Sequence, residues 1–350
     1  MTGAASRSDN GALRLHYNEN TAGCSIAVLD ALQSITREDL ATYPDYDAIT
    51  AKTARWLGVE PDWVRLTNGL DEGLYAVTQY GAVHADAGHA ARRPQFILPE
   101  PSFEMFEAFT SIVRAELVRV LPEPEFRFPL TAVLEAMTPS TRVIYLVDPN
   151  NPTGLSLPDG LAETIAAAVP QALVFVDEAY ADFRRRSLVG SALDRHRNLV
   201  IGRTFAKGHG LAGLRVGALV AHPDTVERVG HMLPPFNVNI CGVRALDAAL
   251  DDEGYLQWYV EQTTASKTMV YDFCRRHDLT YWPSDANFVL VRFGEHTSAL
   301  VDMMRARGFL VRDKSTAPGC AGCLRLTAGV VNHTASTIAA LEDCLAARAN

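Results

Sequence analysis

Five short runs of consecutive apolar residues constrain the fold of this chain more than any other feature of the sequence. The runs cover residues 96–98, 143–147, 173–176, 199–201 and 216–221. Continuous rather than alternating apolar residues indicate strands that are buried on both faces of a sheet. With intervening helical stretches such as residues 161–168, the pattern predicts an α/β fold with a mostly parallel sheet. Ligands in such sheets bind beyond the carboxyl ends of the strands.

Chemically useful side chains follow four of these runs, at the edge where a ligand is expected. They are an aromatic ring, an amide, a carboxylate with a phenol, and a hydroxyl with an amine: Phe103, Asn151, Asp177, Tyr180, Thr204 and Lys207. Asp177 follows apolar residues, so we expect it to be buried and to need a cationic or hydrogen-bonding partner. A simple helix cap is the alternative role for Asp177.

The lysine lies in a glycine-rich loop, with Thr204 three residues before Lys207 and Arg215 eight residues after it. A nucleophilic amine beside a hydroxyl and a guanidinium suits a covalently held, phosphorylated aldehyde. The glycines within residues 208–213 also match a dinucleotide-binding spacing, but that motif needs a helix to begin at the glycines. Residues 216–221 read instead as a strand. A solvated loop lysine is the remaining alternative.

A further anion-binding element is predicted where residues 67–72 lead into apolar positions at helical spacing. Free backbone amides in the first turn of such a helix form a natural phosphate site. An ordinary capped helix has the same pattern.

Beyond a proline-rich linker at residues 232–237, the sequence predicts a second unit. Its predicted helices cover residues 242–276 and 335–347, its predicted strands cover residues 287–293, 310–311 and 324–326, and a further helix is predicted near the N-terminus at residues 26–40. Arg325 is flanked by leucines, so it should be partly buried and need an anion. The alternative for Arg325 is a structural salt bridge.

Charge and composition limit the partners. The net charge of -9 and the absence of a basic run argue against nucleic acid. No apolar stretch approaches 18 residues and residues 1–13 do not resemble a signal peptide, so we expect no membrane association and a cytoplasmic location. Cys320 and Cys323 form a C-x-x-C pair without further ligands nearby, which predicts a turn and no metal site.

Together these segments resemble the fold-type I pyridoxal-phosphate (PLP) aminotransferases and, within them, the histidinol-phosphate aminotransferases. The resemblance extends from about Leu15 to the end of the chain. The motifs that carry it are Tyr43-Pro44, Asn68-Gly69-x-Asp71-Glu72, Pro149-Asn150-Asn151-Pro152-Thr153-Gly154, Asp177-Glu178-Ala179-Tyr180, Lys207 with Gly210-Leu211-Ala212-Gly213-Leu214-Arg215, Ser284-Asp285-Ala286-Asn287-Phe288 and Gly322-Cys323-Leu324-Arg325.

The resemblance implies a large PLP-binding domain with a mostly parallel sheet and a smaller C-terminal α/β domain. The large domain would comprise residues 37–240 and the small domain residues 241–350, with residues 1–36 as an arm that joins the small domain. It also implies a homodimer with shared active sites.

For the cofactor, the resemblance implies that Lys207 forms the Schiff base with PLP and then moves the proton in catalysis. Asp177 would keep the pyridine nitrogen protonated, which makes the ring an electron sink. Asn151 and Tyr180 would hydrogen-bond the phenolic oxygen, and Phe103 would lie on the ring. The phosphate would be bound by the amides of Leu70 and Asp71, by Thr204 and Arg215, and by Tyr43 of a second subunit.

For the reaction, the resemblance implies ping-pong transfer of an amino group from histidinol phosphate to 2-oxoglutarate. Arg325 would bind the acidic group of either substrate, with Asn151 also on the substrate side. Asn20 stands where some members place a tyrosine near the substrate. Alternatives are an aminotransferase for aromatic or other amino acids, a decarboxylase of a phosphorylated amino acid, a PLP-fold regulator and a dinucleotide-dependent oxidoreductase.

Two residues near the lysine depart from the family pattern. Ala206 replaces the usual serine, which removes a hydroxyl from the phosphate site and predicts weaker PLP retention. His209 stands where a small or apolar residue is common.

Overall fold

The computed structural model describes residues 11–83, 93–184 and 186–349. Its strands are β1 (Leu13–Arg14), β2 (Val64–Thr67), β3 (Gln95–Pro99), β4 (Glu116–Val120), β5 (Thr141–Val147), β6 (Leu173–Asp177), β7 (Leu199–Thr204), β8 (Gly217–Ala221), β9 (Thr280–Trp282), β10 (Phe288–Arg292), β11 (Phe309–Leu310), β12 (Arg312–Asp313) and β13 (Cys323–Thr327). Its helices are α1 (Ile26–Gln33), α2 (Arg37–Ala41), α3 (Asp47–Leu57), α4 (Leu70–Val83), α5 (Glu104–Ile112), α6 (Leu130–Glu135), α7 (Leu161–Ala168), α8 (Ala181–Arg184), α9 (Ser191–Arg195), α10 (Pro223–Gly230), α11 (Ile240–Asp251), α12 (Glu253–Arg276), α13 (Thr297–Ala306) and α14 (Val331–Ala349).

Seven strands form one sheet in the order β2-β8-β7-β6-β5-β3-β4. Strands β4, β3, β5, β6 and β7 are parallel, whereas β8 is antiparallel to both of its neighbours, β7 and β2. All five apolar runs are strands of this sheet, and β5 to β8 are buried along their whole length. The predicted α/β fold with a mostly parallel sheet is therefore confirmed.

Both faces of the large sheet are covered, which explains why its central strands carry runs of consecutive apolar residues. In β6, Val174 and Val176 face a core that includes residues of α7 and α11, while Phe175 faces a second core under α4 and α10. Since neither face meets water, an alternating pattern would place polar groups in an apolar core.

Four strands form a smaller antiparallel sheet in the order β12-β13-β10-β9. Its core joins Val289 of β10 to Phe273 of α12 and Leu341 of α14. Strand β1 pairs with β11, and Leu15 enters the same core, so the N-terminal segment lies against this unit. Val28 of α1 packs instead in the core of the large sheet, as does α11. The proposed boundaries at residues 36 and 240 remain a prediction.

Two predicted helices are each divided in the structure. Residues 26–40 form α1 and α2 because Thr36 caps α2 through a reciprocal capping box with Asp39. Residues 242–276 fall in α11 and α12, and Asp252 caps α12 by accepting a hydrogen bond from the backbone amide of Tyr255. Both breaks occur at residues whose side chains compete for backbone hydrogen bonds.

Two local predictions are confirmed. The glycine-rich loop leads into β8 rather than a helix, which is incompatible with the dinucleotide motif. Cys320 and Cys323 form a turn in which the Cys323 amide donates to the Cys320 carbonyl at 2.9 Å, and both are free thiols. Within the described ranges, no helix combines the length and the apolarity needed to cross a membrane.

Candidate active site

A cavity of about 380 Å³ opens beyond the carboxyl ends of the central strands. The large sheet, the segment after β1 and the β12–β13 hairpin supply its walls. The structure brings together most of the predicted site residues here: Leu70, Asp71, Phe103, Asn151, Asp177, Tyr180, Thr204, Lys207, Arg215 and Arg325. Tyr43 and Asn20 do not line this cavity.

An anion-binding corner lies where the N-terminus of α4 meets the loop after β7. Arg215 reaches this corner with a left-handed backbone (φ 55°), and its Nη2 donates to the Asp71 carboxylate at 3.0 Å. Gly69, also left-handed, allows this approach because a Cβ atom there would collide with Arg215. Thr204 lines the same cavity, and its hydroxyl accepts a hydrogen bond from the Ala206 amide at 3.2 Å. The corner combines a guanidinium, a hydroxyl and helix N-terminal amides, which suits a phosphate.

Asp177, the last residue of β6, is buried at the base of the cavity. Its carboxylate accepts a hydrogen bond from the Ala179 amide at 2.9 Å, and no cationic side chain in the described ranges forms an ion pair with it. Burial raises the pKa of Asp177 to about 7. A buried carboxylate that lacks a positive partner is suited to bind a protonated ring nitrogen.

Lys207 lies on the same cavity, in the loop after β7. Its Nζ donates to the Tyr17 carbonyl at 2.8 Å and lies 5.8 Å from the centre of the Tyr180 ring. Burial, together with the positive charge of Arg325, lowers the pKa of Lys207 to about 8. A substantial fraction of this amine is therefore unprotonated slightly above neutral pH, as a nucleophile and proton carrier requires.

Tyr180 is fixed by a residue that the sequence reasoning did not single out. The Asn18 amide donates to the Tyr180 hydroxyl at 3.0 Å, and the Asn18 Oδ1 accepts from the Thr327 hydroxyl at 3.0 Å. Asn18 adopts a left-handed backbone (φ 55°), which asparagine tolerates better than most residues. Burial raises the pKa of Tyr180, so the phenol stays neutral and can donate into the cavity.

Arg325, in the middle of β13, is buried and faces the cavity. Its guanidinium donates to the Asn151 Oδ1 and to the His16 carbonyl, both at 2.5 Å, while its buried Nε has no partner. Among the ion pairs of the described residues, none involves Arg325, so the alternative of a structural salt bridge is not observed. Burial lowers the pKa of Arg325 to about 10, because the charged guanidinium is unfavourable away from water. An anionic ligand would stabilise that charge.

Several other cavity residues were missed. They are His16, Tyr17, Asn18 and Glu19 from the segment after β1, Glu104 from α5, and Arg312 and Lys314 from the β12–β13 hairpin. The polar run after Leu15 was a usable signal, because its side chains have no place in a strand core. Lysine was a second usable signal for Lys314, because lysine is scarce in this chain. The chain has four lysines, and two of them line this cavity.

The two predicted residues outside the cavity have different surroundings. Tyr43 is 74% exposed and stacks on Phe236, with 4.2 Å between ring centroids. Asn20 is buried behind the lysine loop, where its amide donates to the Gly208 carbonyl at 2.9 Å and to the Tyr255 hydroxyl at 3.1 Å. Both Asn20 donors are engaged, so this side chain holds the loop rather than facing the cavity. His209 is likewise buried behind the loop, against Trp56.

The described part of the chain contains no group of three or more His, Cys, Asp and Glu side chains that could hold a metal ion. The cavity is lined by two amines, three guanidinium groups and four carboxylates: Lys207, Lys314, Arg215, Arg312, Arg325, Glu19, Asp71, Glu104 and Asp177.

Comparisons with known proteins agree with this geometry. Residues 11–342 match the family described as aminotransferase class I and II. The chain is 34% identical over 341 residues to histidinol-phosphate aminotransferase 2 of Carboxydothermus hydrogenoformans, covering 95% of this chain and 91% of the relative. It is 31% identical over 339 residues to histidinol-phosphate aminotransferase of Bacillus subtilis, with the same coverage. The crystal structure of histidinol-phosphate aminotransferase from Sinorhizobium meliloti in complex with pyridoxal-5'-phosphate superposes with a TM-score of 0.84, at 26% identity, covering 95% of this chain and 90% of that one. The chain belongs to the aminotransferase class I and II family.

Proposed function

We propose that this chain is a PLP-dependent aminotransferase that transfers the amino group of L-histidinol phosphate to 2-oxoglutarate. One observation carries the proposal: a buried carboxylate without a cationic partner, Asp177, and an amine with a lowered pKa, Lys207, share one cavity. A cofactor with a basic ring nitrogen and an aldehyde would use both groups at once. The relatives named histidinol-phosphate aminotransferase support histidinol phosphate as the amino donor.

The residues present fit PLP. The Arg215 guanidinium, the Thr204 hydroxyl and the first amides of α4 would hold its phosphate, with the glycine at position 69 leaving room for the arginine. Asp177 would pair with the ring nitrogen, and Phe103 would cover the ring. Tyr180 and Asn151 would hydrogen-bond its phenolic oxygen. When bound, PLP supplies an electron sink that makes the hydrogen on the amine-bearing carbon of the substrate acidic.

The protein groups supply the proton transfers. The Lys207 Nζ donates a hydrogen bond to a neutral carbonyl and forms no ion pair with any described residue, so it could take a proton from the substrate carbon and return one. Asp177 is ionised once a cationic nitrogen lies beside it, and it keeps that nitrogen protonated. Residues 16–19 form the cavity wall beside the amine, and the Tyr17 carbonyl orients it through a hydrogen bond.

Arg325 would bind the acidic group of each substrate in turn. Its hydrogen bond to Asn151 fixes the plane of the guanidinium, and its place on the cavity wall would let it bind an incoming anion. One cation that serves both half-reactions is consistent with a ping-pong route, because the two substrates occupy the cavity at different times.

We also propose a homodimer with shared active sites and the domain division given above. An exposed tyrosine stacked on the exposed Phe236 forms an aromatic surface patch that a second copy of the chain could cover. Sedimentation should give a dimer, and Tyr43→Ala should weaken cofactor retention without unfolding the protein. A fully active monomer would contradict this arrangement. The cytoplasmic location stays a prediction.

An absorption titration tests the proposed reaction. L-Histidinol phosphate, added without acceptor to purified protein that carries PLP, should convert the yellow form of the bound cofactor to the pyridoxamine form. Adding 2-oxoglutarate should then restore the yellow form. If phenylalanine but not histidinol phosphate converted the yellow form, the aminotransferase assignment would stand and histidinol phosphate would be rejected as the substrate. Protein that cannot bind PLP would reject both.

A further inference from the structure

A second cationic group lies on the cavity wall, apart from Arg215 and Arg325. Lys314 Nζ and Arg312 Nη2 both contact one oxygen of Glu104, at 3.1 and 2.9 Å. The two cations come from the β12–β13 hairpin, whereas Glu104 is the first residue of α5 and follows Phe103 directly. All three residues line the cavity that contains Lys207.

The two ends of the Lys314–Glu104 pair differ in burial. The Lys314 side chain is 9% exposed, whereas the Glu104 side chain is 58% exposed. Burial lowers the pKa of Lys314, and the charge of nearby Arg325 lowers it further, against the opposing effect of Glu104. The ammonium therefore needs an anion to remain in place, while its present carboxylate partner can turn into solvent at little cost.

The phosphate corner shows the same arrangement. There Arg215 is paired with Asp71, another partly exposed carboxylate of the chain. In both places, a cation on the cavity wall is held by a carboxylate that a ligand anion could replace. A resident carboxylate keeps such a site neutral and ordered until the ligand arrives.

Lys314 and Arg325 have different partners on the cavity wall. Arg325 donates to Asn151 and to the His16 carbonyl, whereas Lys314 and Arg312 both contact Glu104, whose side chain is 58% exposed. An α-amino acid carries a planar monoanion on its amine-bearing carbon. In histidinol phosphate that position holds a longer phosphate ester with almost two negative charges. A second cation on the same cavity wall as Arg325 would therefore favour the longer, more highly charged phosphate over an α-carboxylate.

We propose that Lys314 is a specificity-determining residue that binds the phosphate of a phosphorylated amino donor, and that Glu104 is the resident carboxylate which this phosphate displaces. The inference rests on the proposed function, and it identifies the donor class as phosphate monoesters of amino alcohols. It assigns opposite roles to the two members of one ion pair: Lys314 attracts the donor, whereas Glu104 competes with it.

A purely structural ion pair makes a different prediction. If the pair only fastens the β12–β13 hairpin to α5, removal of either partner should weaken activity in the same direction for every substrate. If our assignment is correct, the two variants should have opposite effects on the phosphorylated donor. The sign of the effect therefore separates the two accounts.

The test uses the holoenzyme and the single-turnover absorption change with L-histidinol phosphate and with L-glutamate. For Lys314→Met, the concentration of histidinol phosphate giving half-maximal rate should rise about tenfold or more, and at least fivefold more than that of glutamate. For Glu104→Gln, the same concentration should fall. Lys314→Arg should recover most of the loss, because it restores the charge. Lys52→Met is the matched control, since it removes an ion-paired lysine that lies outside the cavity.

Inorganic phosphate provides a readout that does not depend on the donor. It should inhibit the glutamate half-reaction of the wild-type protein, less strongly in Lys314→Met and more strongly in Glu104→Gln. A wild-type protein that ignores histidinol phosphate would refute the proposed substrate, while the phosphate inhibition would still test the Lys314 site. Equal losses in both ion-pair variants for both substrates, with unchanged phosphate inhibition, would overturn the inference.

Discussion

The two ends of the active-site cavity are built in different ways. The end proposed to bind the cofactor, here the cofactor end, uses residues at the carboxyl ends of neighbouring parallel strands and at the start of α4, such as Asp177, Thr204 and Leu70. The end proposed to bind the substrate, here the substrate end, joins three distant segments: the stretch after β1, the start of α5 and the β12–β13 hairpin. A sheet edge places its own residues together by topology, whereas the substrate end exists only when separate units pack correctly.

The two ends also carry opposite unbalanced charges. At the cofactor end the buried Asp177 lacks a cation, and at the substrate end the buried Arg325 lacks an anion, within the described ranges. Each imbalance costs stability in the absence of a ligand, and each identifies the charge of the group that should bind there. The comparison predicts that damage to the cofactor end reduces the rate of chemistry, while damage to the substrate end reduces substrate affinity.

The largest expected effect is the loss of Lys207. Lys207→Ala should lower kcat by about 10⁴-fold or more, because the proposed mechanism uses its amine both to hold the cofactor and to move the proton. Single-turnover absorption and circular dichroism would measure rate and folding together. Lys52→Ala is the control for removal of a lysine, and turnover near the wild-type level in the Lys207 variant would exclude the mechanism.

Replacement of the buried carboxylate should rank second. Asp177→Ala should reduce kcat by about 10³-fold with a smaller change in KM, because the ring nitrogen is no longer kept protonated. Asp71→Ala is a useful comparison, since it removes a cavity carboxylate that pairs with Arg215 instead. A mild effect of Asp177→Ala would mean that the only role of Asp177 is to accept the hydrogen bond from the Ala179 amide.

The substrate end should respond through affinity. Arg325→Ala should raise KM for histidinol phosphate and for 2-oxoglutarate, each by about 10²-fold, because a charged hydrogen bond is lost in both half-reactions. Steady-state kinetics with each substrate varied in turn would measure both constants. An effect on only one substrate would refute the dual role.

A stability measurement tests the comparison without an activity assay. The pKa of Asp177 is about 7 in the folded protein and 3.8 as its ordinary value, so between these values the unfolded chain releases a proton that the folded protein keeps. The free energy of unfolding therefore falls as pH rises from about 4 to 7.

In the Asp177→Asn variant, this pH-dependent contribution is absent. In urea denaturation without cofactor, the stability of the Asp177→Asn variant relative to wild type should be higher at pH 8 than at pH 5. With PLP bound, wild type should instead be the more stable of the two proteins. An identical difference at both pH values would contradict the assigned burial cost.

The smallest expected effect concerns cofactor retention. Ala206→Ser should slow PLP loss by a few fold, about 1 kcal/mol, by adding a hydroxyl beside Thr204 in the phosphate corner. Dialysis followed by absorption of the retained cofactor would measure it. No slowing would show that the hydroxyl does not reach the phosphate.

The sequence predicted the cofactor end far better than the substrate end, for a physical reason. Buried strands leave continuous apolar runs, and polar residues directly after them can be identified from the chain alone, as with Asp177 and Lys207. Lys314 and Glu104 lie in hairpin and helix-start positions that resemble any solvated surface until the units pack together. The helix breaks at Thr36 and Asp252 were missed because capping depends on single side chains within apolar periodicity.

The central claim is that Lys207, and no other amine, holds the cofactor. Reduction of the PLP-loaded protein with borohydride fixes the cofactor to the amine that holds it, and mass spectrometry of the digested protein can then assign the site among the four lysines Lys52, Lys207, Lys267 and Lys314. Lys314 is the stringent internal control, because it lines the same cavity. We predict that the cofactor is found on Lys207 alone. A cofactor on Lys314, or none on any lysine, would contradict the account.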